Sequence, residues 1–229
     1  MSRASPAVDA FEKTCGVAIE REWLDRLALL TEVVVKRSPV SYQHGRVLYA
    51  ALRRYAGERA SQHLNIVETG TARGFSALCL ARALSDAGGS GKILTFDVLP
   101  HDSRIYWNCI RDTEGRSTRR ELLADYSDLM ERYIVFHRGD ARRELQKVAF
   151  PRVHFAFLDS VHTYDQVRAE FAAIRGRQRA GDMLVFDDYT PARYVGVVKA
   201  ADEICRVDGY RPLLVRVDEG RGYLIADKQ

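Results

Sequence analysis

The sequence contains no uninterrupted apolar run of the roughly 18 to 20 residues that a membrane-spanning helix needs. Its first residues, MSRASPAVDAFEKTCG, also lack the apolar centre of a secretory signal. With 229 residues, the chain is long enough for one domain with a substantial core. These features predict a cytoplasmic protein without a membrane partner.

Cysteine is scarce, and its four copies lie far apart. Cys15, Cys79, Cys109 and Cys205 form no CxxC pair and no Cys/His spacing that would suit zinc. The burial statistics of unpaired cysteine favour reduced thiols in the core. The pattern therefore argues against both a zinc site and a disulfide framework.

The sequence also has little excess of one charge. It has 35 Lys and Arg residues and 31 Asp and Glu residues, which gives a formal net charge of +4. The most basic stretch, residues 111–120, includes Asp112 and Glu114, and a solvated loop is its simplest interpretation. Because no continuous basic footprint is evident, a small molecule is a better candidate partner than nucleic acid.

The chain begins with segments whose apolar residues recur at helical spacing. One covers residues 20–35 and another residues 47–55, with Pro39 between them. We predict that residues 1–60 form a helical extension packing on the core and that residues 61–229 form the main domain. These helices could also pack on a second subunit, so a homo-oligomer stays open.

From residue 61 onwards, short apolar runs alternate with helical stretches, which is typical of βαβ units. The seven predicted strands cover residues 65–68, 92–97, 133–138, 154–159, 183–187, 212–217 and 223–226. Residues 218–222 contain two glycines and join the last two strands as a hairpin, so the final strand should run antiparallel. The sequence predicts an α/β fold with a mostly parallel sheet.

Acidic residues recur where the first five strands end. They are Glu68, Asp97, Asp140, Asp159 and the pair Asp187 and Asp188. In an open α/β sheet, the ligand crevice lies outside the carboxyl ends of the strands. The pattern therefore predicts one acidic edge at the binding site, although a helix N-cap is an alternative role for any single acid.

The first strand leads into the turn Glu68-Thr-Gly70-Thr-Ala-Arg-Gly74-Phe-Ser76. Gly70 would allow a tight bend near a ligand, and Gly74 would allow close packing of the next helix. The turn is neither GxGxxG nor a phosphate loop. Glu68 places a carboxylate where pyrophosphate would be repelled and an ammonium welcomed, which favours a zwitterionic ligand. Asp97 can accept two hydrogen bonds from a ribose diol, and Asp140-Ala141 can reach an adenine amino group.

The stretches VETGTARGFSA and ILTFD resemble the first two motifs of class I S-adenosylmethionine-dependent methyltransferases. The resemblance covers the chain from about residue 65 to its end and implies a doubly wound sheet with an antiparallel last strand. It assigns the methionine part of the cofactor to Glu68 and the turn, the ribose to Asp97 and the adenine to Asp140. The full set of predicted cofactor-binding residues is Glu68, Gly70, Thr71, Ala72, Arg73, Gly74, Ser76, Asp97, Asp140, Ala141 and Asp159.

The fourth and fifth strands end in LDSVHTYD and FDDY, so Asp159, Asp187 and Asp188 should converge at adjacent strand ends. Three close carboxylates repel one another unless protonated or neutralised, and magnesium would resolve the repulsion. Such an ion would also lower the pKa of an acceptor hydroxyl. His162 lies three residues beyond Asp159 and is a candidate base. Helix capping by Asp188 and a backbone hydrogen bond from His162 remain alternatives.

These two stretches also resemble the methyltransferase branch of metal-dependent catechol-type enzymes and of cephalosporin and macrolide-sugar O-methyltransferases. That resemblance assigns magnesium to Asp159, Asp187 and Asp188. The catechol-type enzymes carry lysine where this chain has His162, so the resemblance is stronger to the antibiotic-tailoring enzymes.

The sequence thus predicts a magnesium-dependent O-methyltransferase acting on a small-molecule hydroxyl, such as a sugar or aromatic group of a secondary metabolite. Three alternatives stay open. They are a metal-independent O- or N-methyltransferase that uses His162 as base and acts on a small molecule or RNA, a non-catalytic cofactor-binding protein, and a nicotinamide-dependent reductase. The absence of GxGxxG speaks against the last.

Overall fold

The computed structural model describes residues 5–34, 42–59, 61–217 and 221–229. Within these ranges the chain forms one seven-stranded sheet between two layers of helices. The strands are β1 (His63–Thr69), β2 (Ser90–Asp97), β3 (Ile134–Arg138), β4 (Phe155–Leu158), β5 (Met183–Phe186), β6 (Tyr210–Arg216) and β7 (Gly222–Lys228). All seven predicted strands are confirmed, with bounds that differ by a few residues.

The strand order is β3-β2-β1-β4-β5-β7-β6. Strands β1 to β5 are parallel, and β7 runs antiparallel to both β5 and β6. The order reverses direction at β1, so β1 and β4 are neighbours although two strands separate them in sequence. Such a switch point opens a crevice at the carboxyl ends of the strands.

The helices of the described residues are α1 (Pro6–Cys15), α2 (Arg21–Thr31), α3 (Gln43–Gly57), α4 (Phe75–Asp86), α5 (Arg119–Leu122), α6 (Ser127–Tyr133), α7 (Ala141–Glu144), α8 (Tyr164–Ile174) and α9 (Val195–Asp208). The predicted segment 20–35 is too long, because α2 ends at Thr31. Pro39 and most of the hairpin loop lie outside the described residues.

Alternate strand residues point to opposite faces of the sheet, and both faces are buried. On one face Ile66 and Phe157 join a core with α1 to α4, and on the other Val67 and Leu158 join a core with α8 and α9. Because both faces are covered, the parallel strands read as continuous apolar runs in the sequence.

The N-terminal helices share the core of the main domain. Glu12 on α1 and Arg46 on α3 are both buried and form an ion pair at 2.5 Å, and Asp9 binds the same guanidinium. The domain boundary at residue 60 and the homo-oligomer stay predictions. All four cysteines are buried and free, as expected. In the described ranges no helix is long and apolar enough to cross a membrane.

Candidate functional site

The turn after β1, residues 70–74, is here named the cofactor turn. Gly70 has a φ of 89°, and its N–H donates to the Phe96 carbonyl at 2.9 Å. A Cβ added at Gly70 would lie 1.9 Å from the carbonyl oxygen of Asp159. This contact excludes every other residue type, so the turn depends on glycine here.

Asp97, at the end of β2, fixes the shape of the cofactor turn. Its Oδ2 accepts a hydrogen bond from the Ala72 N–H at 2.6 Å, and its Oδ1 accepts one from the Leu99 N–H at 2.8 Å. Ala72 has a φ of 44°, in the left-handed region that non-glycine residues rarely occupy. The half-exposed carboxylate still has lone pairs for a ribose diol.

Glu68 lies beneath the cofactor turn and is fully buried. The Thr95 hydroxyl donates to its Oε2, and the Thr95 and Thr71 hydroxyls are 2.5 Å apart. The other oxygen, Oε1, has no hydrogen-bond partner among the described residues. Burial raises the pKa of Glu68 to about 7. An unpartnered buried carboxylate oxygen is the acceptor that an ammonium group would satisfy.

Of the predicted cofactor residues, Thr71, Ala72, Arg73, Ser76 and Asp159 line one cavity together with Gly70, whereas Glu68, Gly74 and Asp97 do not line it. Asp140 instead caps α7, accepting from the Arg142 N–H at 3.0 Å, and it forms an ion pair with the Arg142 guanidinium at 2.6 Å. The N-cap role considered for these acids therefore applies to Asp140, and Ala141 beside it is buried.

Asp159, Asp187 and Asp188, here named the acidic cluster, follow the ends of β4 and β5. His162 lies between them, with Nε2 3.1 Å from Asp159 Oδ1 and Nδ1 3.4 Å from Asp188 Oδ2. Asp188 has a φ of 51°, a strained conformation for this residue type. The predicted convergence of the three carboxylates is therefore present, with a histidine among them.

Arg221 contacts two members of the acidic cluster. Its Nη2 donates to both Asp187 oxygens at 2.9 and 3.2 Å, and its Nε lies 3.0 Å from Asp188 Oδ1. Burial and the nearby Asp187 and Asp188 carboxylates raise the pKa of Asp159 well above its ordinary value. The same carboxylates raise the pKa of Arg221, so its positive charge persists at any working pH.

The acidic cluster does not assemble a metal ligand set in this conformation. Across residues 5–34, 42–59, 61–217 and 221–229, no group of three His, Cys, Asp or Glu side chains is arranged to hold a metal ion. The reason is visible in the contacts, since Arg221 and His162 already occupy the space that the carboxylates face.

One cavity of about 280 Å³ joins the cofactor turn to the acidic cluster. Glu32 and Val34, which follow α2, form further parts of its wall together with His44 on α3 and Phe75 on α4. Burial lowers the pKa of His44 to about 3 and raises that of Glu32 to about 7, so both are uncharged in mildly acidic solution. The Nδ1 atom of His44 is buried and has no partner among the described residues, which leaves it available to a ligand.

Sequence reasoning missed His44, Glu32 and Arg221. His44 and Glu32 carry no local signal, because their place in the cavity depends on how α2 and α3 pack. Arg221 had a signal in the predicted topology. An antiparallel β7 begins at the edge where β5 ends, so the residue before β7 belongs to that edge.

Residues 67–189, more than half of the chain, match the family model of a methyltransferase domain. The chain belongs to this methyltransferase family. Together with the strand order, the match confirms the class I fold and an S-adenosylmethionine-dependent methyltransferase. No curated protein matches the chain significantly.

Three solved structures show how widely the fold of this methyltransferase is shared. Cofactor-bound Rv0187 from MTB is 21% identical with a TM-score of 0.64, covering 99% of this chain and 98% of its own. The O-methyltransferase TomG from Streptomyces achromogenes, involved in tomaymycin synthesis, is 20% identical with a TM-score of 0.63, covering 97% and 96%. CalS11, a TDP-rhamnose 3'-O-methyltransferase of calicheamicin biosynthesis, is 19% identical with a TM-score of 0.59, covering 97% and 96%. At these identities the likeness establishes the fold.

Proposed function

We propose that this methyltransferase methylates a hydroxyl group of a small molecule, such as a sugar or aromatic group of a secondary metabolite. The observation that carries the proposal is the single cavity that both the cofactor turn and the acidic cluster line. A methyl donor held at one end therefore faces polar groups at the other, which methyl transfer requires.

The size of the cavity favours a small acceptor over nucleic acid. Its volume of about 280 Å³ suits part of a small ligand. TomG acts in tomaymycin synthesis and CalS11 in calicheamicin biosynthesis, and both are O-methyltransferases, which supports the same acceptor class.

The residues of the cofactor turn fit S-adenosylmethionine. Glu68 Oε1 is a buried acceptor without a partner in the described ranges, suited to the methionine ammonium. Gly70 leaves space that any side chain would fill, and Asp97 offers its carboxylate to the ribose. When bound, the cofactor supplies an electrophilic methyl group on a sulfonium.

His162 and Asp159 form the pair that would accept the proton of the acceptor hydroxyl. They are 3.1 Å apart and line the same cavity. With the cofactor supplying the methyl group that turns the acceptor hydroxyl into a methyl ether, this pair would take up the proton that the hydroxyl loses. Positioning and exclusion of water supply most of the rate enhancement.

Magnesium at Asp159, Asp187 and Asp188 stays a prediction from the sequence. The ligand set does not fit an ion in this conformation, because Arg221 binds two of the three carboxylates. We therefore derive no step through a metal. A loss of turnover in chelator that added magnesium restores would support the metal-dependent form.

Transfer of a labelled methyl group to a panel of hydroxylated sugars and phenols tests the proposal. We expect turnover with at least one acceptor and a loss of at least about a hundredfold in His162→Gln and Asp159→Asn. A matched control is His63→Gln, because His63 lies at the opposite end of β1. Turnover only with amines or RNA would refute the hydroxyl assignment.

A further inference from the structure

We propose that Arg221 is the resident cation of the acidic cluster and occupies the place that a divalent ion would take. The inference rests on the proposed function, because it concerns the acceptor end of the same cavity. Three converging carboxylates require a neutralising positive charge. The sequence predicts magnesium for this role, whereas we assign it to the Arg221 side chain.

The contacts join one guanidinium to two carboxylates. The Arg221 Nη2 atom reaches both oxygens of Asp187, at 2.9 and 3.2 Å, while Nε lies 3.0 Å from Asp188 Oδ1. Asp187 is 3% exposed, so Arg221 contacts its carboxylate where little water can reach it. A planar guanidinium holds two carboxylates in a fixed geometry that a hydrated ion would have to displace.

Two of the three remaining carboxylate oxygens lie near a second nitrogen-bearing side chain, His162. Asp188 Oδ2 lies 3.4 Å from His162 Nδ1, and Asp159 Oδ1 lies 3.1 Å from His162 Nε2. Magnesium demands near-octahedral oxygen ligands at close range. An ion entering the cluster would therefore have to displace Arg221 and remain beside its positive charge, which opposes binding.

The backbone fixes Arg221 at this edge. Strand β7 starts at Gly222 and pairs with β5 so that Leu224 lies opposite Phe186. The Tyr189 N–H donates to the Gly222 carbonyl at 2.8 Å, and a Cβ on Gly222 would lie 2.9 Å from the Tyr189 carbonyl oxygen. This close approach holds the backbone at Arg221 beside the end of β5.

Titration with Mn²⁺, followed by the electron paramagnetic resonance of the free ion, tests the proposal without an acceptor. We expect the wild-type protein to bind Mn²⁺ no more tightly than about 1 mM. Arg221→Gln should bind at least about tenfold more tightly, because it exposes the carboxylates to the ion, and adding Asp187→Asn should abolish that gain. The matched control is Arg211→Gln, which removes an exposed arginine from the other end of the same hairpin.

Micromolar binding of Mn²⁺ by the wild-type protein, unchanged in Arg221→Gln, would overturn the proposal. If Arg221→Gln does not fold, the melting temperature of the wild-type protein with and without MgCl₂ tests the proposal instead. An ion that binds the folded state raises the melting temperature. We expect no rise with millimolar MgCl₂, and a rise of several degrees would contradict us. Binding of S-adenosylhomocysteine by the same samples reports separately on the proposed function.

Discussion

The two ends of the cavity are built in different ways. The cofactor turn is shaped by its own backbone, through the positive φ of Gly70 and Gly74 and the bond from Ala72 to Asp97. The acidic cluster is held instead by side-chain contacts, with His162 from its own loop and with Arg221 from just before β7. A ligand site made from local backbone tolerates few substitutions, whereas one made from paired charges depends on each partner being present.

Replacing Gly70 by alanine should have the largest effect. The added Cβ would meet the Asp159 carbonyl at 1.9 Å, so the turn or β4 must move. We expect a loss of about 3 kcal/mol or more in the free energy of unfolding, measured in urea, and loss of S-adenosylhomocysteine binding. Gly88→Ala is the control, because Gly88 also has a positive φ but no atom within 4 Å of the added Cβ. It should cost about 1 to 2 kcal/mol. Equal losses would show that backbone conformation alone matters and not the close approach.

Glu68→Gln should change how stability depends on pH. Burial raises the pKa of Glu68 from 4.5 to about 7, so between these values the folded state binds a proton that the unfolded state has lost. The free energy of unfolding of the cofactor-free wild type should therefore fall, relative to Glu68→Gln, as the pH rises from about 5 to about 8. The expected change is at most about 3 kcal/mol. A difference that stays constant over this range would contradict a protonated Glu68.

At the acidic cluster, Asp187→Asn should lower the free energy of unfolding by about 2 kcal/mol. The change removes the buried partner of Arg221, which is itself 28% exposed and so regains some hydration. Binding of S-adenosylhomocysteine should change by less than about threefold, because Asp187 belongs to the acidic cluster and not to the cofactor turn. Asp227→Asn is the control, since its pair with Arg211 is long and exposed and should contribute at most about 0.5 kcal/mol. A loss of cofactor binding in Asp187→Asn would mean that the two ends are not independent.

The smallest effect is expected for Asp140→Asn. Asparagine is an equally good N-cap, so stability should fall by about 0.5 kcal/mol, from the exposed ion pair with Arg142. Calorimetry should show less than about a threefold change in S-adenosylhomocysteine affinity. A tenfold loss would instead place Asp140 against the adenine, as the resemblance to class I methyltransferases implies.

The same contrast explains what could be predicted from the sequence. The strands and the turn at Gly70 were predictable because the periodicity of apolar residues, the spacing of glycines and the acids at strand ends are local sequence patterns. The convergence of Asp159 with Asp187 followed from the parallel order of β4 and β5. The place of His44 depends on helix packing, and local patterns do not encode it. The contact of Arg221 with the acidic cluster depends on the register of β7 against β5. The hairpin pattern in the sequence predicts the direction of β7 but not this register.

Calorimetric titration of the purified protein with S-adenosylhomocysteine tests the central claim most directly. We predict micromolar binding, roughly −8 kcal/mol, and at least a tenfold loss in Asp97→Ala, because Asp97 shapes the cofactor turn and is the residue that we propose for the ribose. Absence of binding by the wild-type protein would contradict the assignment of the cofactor turn to S-adenosylmethionine.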